Sequence, residues 1–531
     1  MKTKIVMFTW NRKWSIRPIN VDGNIIELSP SAKLLGVTLD SKLNFSEHID
    51  NITVKATKYL MQAKKAVGPT WGLTPKVCKW LYTTVVRPLL SYCVSVWVRA
   101  LDNKCNAKKL ERVQARALRI VSGAFPTTPF KALNHITETP DIIHYLRGEA
   151  AKGAIRLKGY GTWTKETPKS GKGIIRSHVS LNNTYIDGLN LPAHSTMDLM
   201  PPVMILDRGY TSNIPIEDIN SYRQAIYQII DSLDQAVISC YTDGSETESG
   251  TGGGFVITTN NNEEILYERS FKLPDYCSVF QAELTAITEA ADYCSKNLNS
   301  RNIEFFSDSL SSLQSLQNTK ANSKTSWQCH NALNLLASDN HVALNWVPAH
   351  TGLIWGNEKA DALAKLGTTS TDLIKGYLPQ SYIKKAINNR VANASKEDWI
   401  KDPHEHTNMV LGAHADKILT TMNRSMINSR LRYRTAVQLL TGHSALNKHL
   451  FRIKCTDSEI CPKCLYDIED VGHFLGRCPF YSKLRVEHFS DYYLTIHEIL
   501  DNKTSINKIV DYAIKTRRFE SAEDQDKQGV T

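Results

Sequence analysis

The sequence predicts an α/β domain at its centre, flanked on both sides by mainly helical regions. Three observations carry that expectation. The chain has 531 residues, which at about 150 residues per domain suggests three or four units. Residues 236–370 alternate strand-like and helix-like stretches, whereas the flanks do not. The charge also changes sign along the chain: residues 1–200 carry +17, residues 201–370 carry −10 and the remainder +4. Hydrophobic residues at 42% and charged residues at 22% are ordinary for globular protein and exclude wholesale disorder or a fibrous repeat. Basic flanks suit a polyanionic partner such as nucleic acid, and an acidic centre in such company suits metal binding. Composition alone does not choose between those meanings.

Residues 1–160 read as a short β start followed by helices. Few breakers interrupt Asn44 to Val67, and a second helical run follows Thr74-Pro75, with the proline in its first turn. The longest apolar stretch, Trp80 to Val98, contains Arg87-Pro88 and several hydroxyl residues, so a buried helix pair fits better than a membrane span. Lys104–Val121 is the clearest helix. Lys108, Arg112, Arg116 and Arg119 share one face and Leu110, Val113, Ala117 and Ile120 the other. That basic face is read either as a solvated surface or as a phosphate contact.

Residues 161–232 read as a linker, rich in Gly, Ser, Thr, Pro and Asn over 161–205, with a short helical stretch at Ile216–Leu233 leading into the next unit. After the central domain (233–370) come a helical connector (371–450), a small cysteine–histidine unit (451–490) and a tail (491–531) whose last dozen residues are expected to be disordered. Met1-Lys2-Thr3-Lys4 precedes too short an apolar run for a secretory signal. Eleven scattered cysteines, an odd number, argue against a disulfide framework. The expectation is an intracellular protein, nuclear or cytoplasmic, that is not secreted and has no membrane partner; its protein partners are unknown.

Within the centre, Ala236–Tyr241 is an apolar run ending in Thr242-Asp243-Gly244-Ser245. A glycine-rich stretch, Gly250–Gly254, then leads into Phe255–Thr258 as a hairpin would. Ile265–Leu273 is a third strand. From Ser278 the pattern turns helical, with Ile287, Ala290, Ala291 and Cys294 on one stripe. Ile303–Phe306 ends at Ser307-Asp308, and Val342–Val347 leads through Pro348-Ala349-His350-Thr351-Gly352 to a helix near Gly356. Asp243 and Asp308 therefore fall at the C-terminal ends of strands, where α/β sheets present ligand-binding groups. Glu283, four residues before Ile287, projects from the inward stripe, where a carboxylate costs several kcal/mol unless a cation or proton offsets it. Asp361 lies in the first turns of the last helix. Such a set suits a hard divalent cation such as Mg²⁺, and two ions about 4 Å apart can drive in-line hydrolysis of a phosphodiester.

Five blocks in order resemble ribonuclease H: Tyr241–Ser245, Gln281–Leu284, Ser307–Ser309, Trp346–Gly352 and Gly356–Asp361. The resemblance implies a ribonuclease H-like mixed five-stranded sheet with flanking helices, and hydrolysis of the RNA strand of RNA–DNA hybrids with two Mg²⁺ ions, or Mn²⁺. It implies that Asp243, Glu283, Asp308 and Asp361 are the metal-binding catalytic carboxylates and that His350 assists water activation or product release. Gly244, Ser245, Gln281 and Asn357, which lie beside those acids, are expected to touch nucleic acid, with selectivity resting on the 2′-hydroxyl.

Near the C-terminus, Cys461, Cys464, His473 and Cys478 form a C-x2-C-x8-H-x4-C pattern able to complete a tetrahedral Zn²⁺ site. The competing readings are a buried cysteine cluster and Cys455 as a rival ligand. The flanks resemble non-LTR retrotransposon reverse transcriptases of the jockey type. Lys2–Lys4, Leu34–Asp40 and the helices to Leu133 resemble the last palm segments and the thumb, and Leu440-Thr441-Gly442-His443-Ser444 with the cysteine–histidine pattern resembles the polyprotein tail. That family's polymerase needs a Tyr/Phe-x-Asp-Asp hairpin. The chain has no Asp-Asp pair, so DNA synthesis is not expected. The alternatives to an endoribonuclease are a non-catalytic nucleic-acid-binding remnant and a relic without a role.

Overall fold

The computed structural model describes residues 3–9, 11, 15–21, 23–163, 174–185, 196–214, 222, 226, 230, 236–259, 264–495, 498 and 506–519. The chain divides into two compact units. The central unit comprises Lys152–Gly171 and Asn182–Ile387, and the terminal unit comprises Met1–Ala151, Lys172–Leu181 and Asn388–Thr531.

The elements of the central unit, in order, are β1 (Leu199–Met204), β2 (Thr211–Asn213), β3 (Ile238–Thr247), β4 (Gly250–Thr259), β5 (Glu264–Leu273), α1 (Val279–Asn297), β6 (Asn302–Ser307), α2 (Leu310–Gln317), β7 (Lys320–Ser323), α3 (Lys324–Leu336), β8 (His341–Trp346) and α4 (Trp355–Gly367). The main sheet runs β2-β8-β6-β3-β4-β5. β3, β4 and β5 are antiparallel neighbours, and β6, β8 and β2 are added in parallel.

Because strand side chains alternate, successive residues serve opposite faces. Cys240, Ile257 and Phe305 belong to a core that includes α1 and α3. Tyr241, Val256 and Phe306 belong to the opposite core with Val347, Ile354 and Leu363. Helices cover both faces, which is why β3 reads as an almost unbroken apolar run rather than an alternating one.

The sheet has six strands where five were expected. The sixth, β2, arises within the stretch 161–232 that reads as a linker. That stretch also supplies β1, paired antiparallel with β7, and the helix Ile174–Tyr185. Two anchors explain why so polar a segment takes up structure. Tyr210 is buried with its hydroxyl 2.7 Å from His330 Nδ1, and the Asp198 carboxylate accepts hydrogen bonds from the Thr325 N–H and the Ser323 hydroxyl. The expected helix at Ile216–Leu233 and the last dozen residues lie largely or wholly outside the described residues.

In the terminal unit two short hairpins, Ile19–Val21 with Asn24–Ile26 and Ser31–Leu34 with Val37–Asp40, precede a helical array. The apolar stretch forms Pro75–Ser91 and Val94–Asp102, bent by 50° at Cys93, which has φ 52°. Among the described residues no single helix is long and apolar enough to cross a membrane. The terminal regions, separate segments in the sequence reading, share one core: Leu118, Leu133 and Ile136 pack with Val410, Tyr433, Val437 and Phe474. Arg430 fastens them, donating to the Leu73 and Ile120 carbonyls at 2.8 and 3.1 Å. The helix Ile506–Lys515 of the expected tail joins this core through Ile509, Val510 and Tyr512.

Candidate active site and metal-ligand cluster

The sheet register brings the acids together. Thr242 of β3 lies opposite Ser307 of β6 in a parallel pair, so the next residues, Asp243 and Asp308, emerge side by side. Glu283 arrives from α1, whose start is fixed by a capping box in which the Ser278 N–H donates to Gln281 Oε1 at 3.1 Å. A Cβ at Gly244 would meet the Glu283 backbone nitrogen at 2.5 Å. The missing side chain at 244 therefore lets the helix reach the strand. Asp243, Glu283 and Asp308 each offer an oxygen within 4.8 Å of the others.

These carboxylates sit in a poorly solvated place. Asp243 is 6% and Glu283 5% exposed. Burial, then the Asp308 and Asp361 charges, pushes Asp243 up to about 7. Burial, then Asp243 and Asp308, raises Glu283 well above the carboxylate range. Asp308 is raised by burial and held back by a hydrogen bond from Asn357 and the charge of His350. Glu283 Oε2 is buried without a hydrogen-bond partner among the described residues. Oxygen-only ligands, mutual repulsion and an orphaned acceptor all favour a bound divalent cation.

Asp361 is set differently. The carboxylate accepts from Lys365 Nζ at 2.6 Å and lies outside the close group of three, although its charge reaches both Asp243 and Asp308. The sequence reading passed over Lys365. Its position four residues after an acid on one helix is the signal that would have found it. His350 is exposed and holds φ 51°, an uncommon left-handed conformation for a residue other than glycine. The Gly352 N–H beyond it donates to Glu358 Oε1 at 2.9 Å. Asn357 is buried and donates to Asp308 Oδ2 at 3.3 Å. Ser245 is half-buried opposite Gly252. The Gln281 side chain is committed elsewhere, to its cap and, through Nε2, to the Tyr377 carbonyl at 2.9 Å.

The segment 235–369 matches the family model described as RNase H. It is a ribonuclease H domain. Two relatives from Drosophila melanogaster are similar to part of the chain. "RNA-directed DNA polymerase from mobile element jockey" is 31% identical over 114 residues, which is 22% of this chain and 12% of that protein. "Probable RNA-directed DNA polymerase from transposon BS" is 27% identical over 105 residues, 20% and 11% respectively. The match thus spans about one eighth of those relatives. Among solved structures, RNase H1 from the archaeon Halobacterium salinarum is 22% identical, covering 25% of this chain and 96% of that one, with a TM-score of 0.21. The N-terminal RNase H domain of a Mycobacterium tuberculosis protein is 20% identical over 25% and 98%, with a TM-score of 0.22.

Outside the ribonuclease H domain, Cys461, Cys464, His473 and Cys478 bring their ligand atoms within 4.8 Å of one another. His473 Nδ1 lies 3.1 Å from Asp467 Oδ2, which orients its other nitrogen toward Cys464 Sγ at 3.5 Å. Burial, above all, pushes the Cys478 thiol up to about 12, so a cation is needed to hold it as thiolate. Cys455 is exposed and lies outside this group. Lys108, Arg112 and Arg116 are exposed along their helix, and Arg119 donates to the Thr128 carbonyl at 3.1 Å. All four line a groove of about 910 Å³ with Lys64.

Proposed function

We propose that the ribonuclease H domain hydrolyses the RNA strand of RNA–DNA hybrids. The observation that carries this reading is the convergence of three raised-pKa carboxylates beside an unpartnered Glu283 oxygen. Asp243, Glu283, Asp308 and Asp361 would hold two Mg²⁺ ions, or Mn²⁺. Bound there, such ions supply Lewis acidity and lower the pKa of water. Asn357 positions Asp308, and the exposed His350 is placed to carry a proton at the edge of the site. Gly244, Ser245 and Asn357, which lie beside these acids, are assigned to nucleic-acid contact in this reading.

Zn²⁺ is the ion we assign to the cysteine–histidine cluster, where four soft ligands suit it better than an oxygen-seeking cation. The groove bearing Lys108, Arg112, Arg116 and Arg119 is assigned to phosphate contact. The protein is read as retrotransposon-derived and intracellular, and these 531 residues contain no Asp-Asp pair of the kind a polymerase hairpin needs.

The test is incubation of the full-length protein with Mg²⁺ and a hybrid labelled on its RNA strand. Cleavage is expected for the hybrid and not for duplex DNA, with a loss of about a hundredfold or more in Asp308→Asn. Undiminished cleavage by that variant would refute the assignment.

A further inference from the structure

We propose that a cavity in the terminal unit, beneath the Thr441-Gly442-His443 turn, receives the phosphate of a nucleotide-sized ligand on Arg452. The cavity encloses about 730 Å³ and its wall includes His404, His443, His449, Arg452 and Tyr493. That volume suits a ligand of nucleotide size.

Its construction begins with the helix Arg430–Thr441, which ends on Gly442 in the left-handed conformation at φ 68°. A Cβ at Gly442 would stand 2.9 Å from the His406 ring, so this turn needs glycine. The turn carries His443 inward to 8% exposure. Arg452 Nη2 lies 3.1 Å from His443 Nε2 and 3.4 Å from its Nδ1. With the guanidinium donating to the nearer Nε2, His443 carries its proton on Nδ1, 3.0 Å from the Thr127 hydroxyl. The hydroxyl therefore accepts there and donates to His449 Nε2 at 3.0 Å. His449 Nδ1 donates to the Ser444 carbonyl at 2.8 Å. Every member of the chain is satisfied with both imidazoles neutral.

Arg452 is consequently held by neutral acceptors rather than by an acid. Three other arginines of the unit meet acids, Arg518 with Glu469 at 2.6 Å, Arg432 with Asp511 and Arg477 with Asp470 at 3.4 Å, while Arg430 and Arg485 are spent on backbone carbonyls. Among the described residues Arg452 has no ion pair. The acids of the wall are engaged: Glu469 by Arg518, Asp470 by Lys448 at 3.2 Å and by Arg477, and Glu498 by the Thr495 N–H at 2.7 Å. A fixed guanidinium with spare donors is a receptor for a tetrahedral oxyanion. His404 adds a second donor. Its Nδ1 lies 2.8 Å from the Thr407 hydroxyl and 3.4 Å from the Thr407 N–H; in the tautomer that accepts from both, Nε2 carries the proton and has no partner among the described residues. The exposed ring of Tyr493 offers a flat surface for a base.

The test uses full-length, zinc-loaded protein and calorimetric titration with a mononucleotide, its unphosphorylated nucleoside, inorganic phosphate, and single-stranded DNA oligonucleotides with and without a 5′-phosphate. Saturable mononucleotide binding is expected, with the nucleoside at least about tenfold weaker and inorganic phosphate competing. Arg452→Gln should bind at least about tenfold more weakly and Arg452→Lys less so, while hybrid cleavage stays at the wild-type rate in both. Preference for the 5′-phosphorylated oligonucleotide would assign the ligand to a strand end, and equal uptake to a free nucleotide. Equal binding of nucleotide and nucleoside overturns the proposal, as does undiminished binding by Arg452→Gln or the absence of saturable binding at millimolar nucleotide. Loss of hybrid cleavage by wild-type protein would instead count against the nuclease reading alone.

Discussion

Asp243 is raised from an ordinary carboxylate value to about 7 by burial first and by neighbouring acids second. A group whose folded pKa exceeds its unfolded one contributes stability below the unfolded value and loses it as pH rises through the folded one. Without a divalent ion this contribution is present near pH 4 and lost by about pH 7. His443, depressed by burial and Arg452 to about 3, works in the opposite direction, since its stability is lost as pH falls. A variant isolates the first effect. In chelator, Asp243→Asn should melt above wild type at pH 8 and close to it at pH 5, a difference on the order of 3 kcal/mol. Mg²⁺ should close that gap by stabilising wild type alone. Equal melting of the two proteins at pH 8 in chelator would contradict the electrostatic reading. At this scale the sequence was informative wherever an acid broke an apolar pattern, as at Asp243, Asp308 and Glu283. It was less so where side-chain direction decides: Asp361 turns to Lys365, and Gln281 is absorbed by its helix cap.

Elements were legible in proportion to their apolar content. β3, β6 and β8 announced themselves as apolar runs, and α1 as an apolar stripe. β2 did not: three residues, Thr211–Asn213, have no periodicity to detect, and parallel pairing with β8 alone defines them. The cysteine–histidine unit lies between these cases. Its spacing was readable, but the exclusion of Cys455 was not, because sequence proximity to Cys461 does not say which thiol is buried with the cluster. If Zn²⁺ holds that unit, Cys461→Ser or Cys478→Ser should lower the melting temperature and expose the 461–478 segment to protease, as should a strong chelator. Cys455→Ser should do neither. Retention of one equivalent of zinc by Cys461→Ser would sink the four-ligand assignment.

For the whole molecule, the charge runs basic, acidic and basic along the chain, whereas contacts divide it into one central and one terminal unit. The partnership of the terminal regions was hidden, because Arg430 meets Leu73 across 357 positions and no local pattern encodes so distant a contact. The central claim concerns the acidic unit: strand register and one glycine bring buried carboxylates to a point where a divalent cation replaces their protons. Counting Mn²⁺ bound to full-length protein at pH 8 by electron paramagnetic resonance tests it most directly. Zinc must occupy the cysteine–histidine cluster beforehand. The account predicts saturable Mn²⁺ in wild type, displaced by Mg²⁺, and its loss in Glu283→Gln and Asp308→Asn. Mn²⁺ binding of equal strength in wild type and both variants would contradict it.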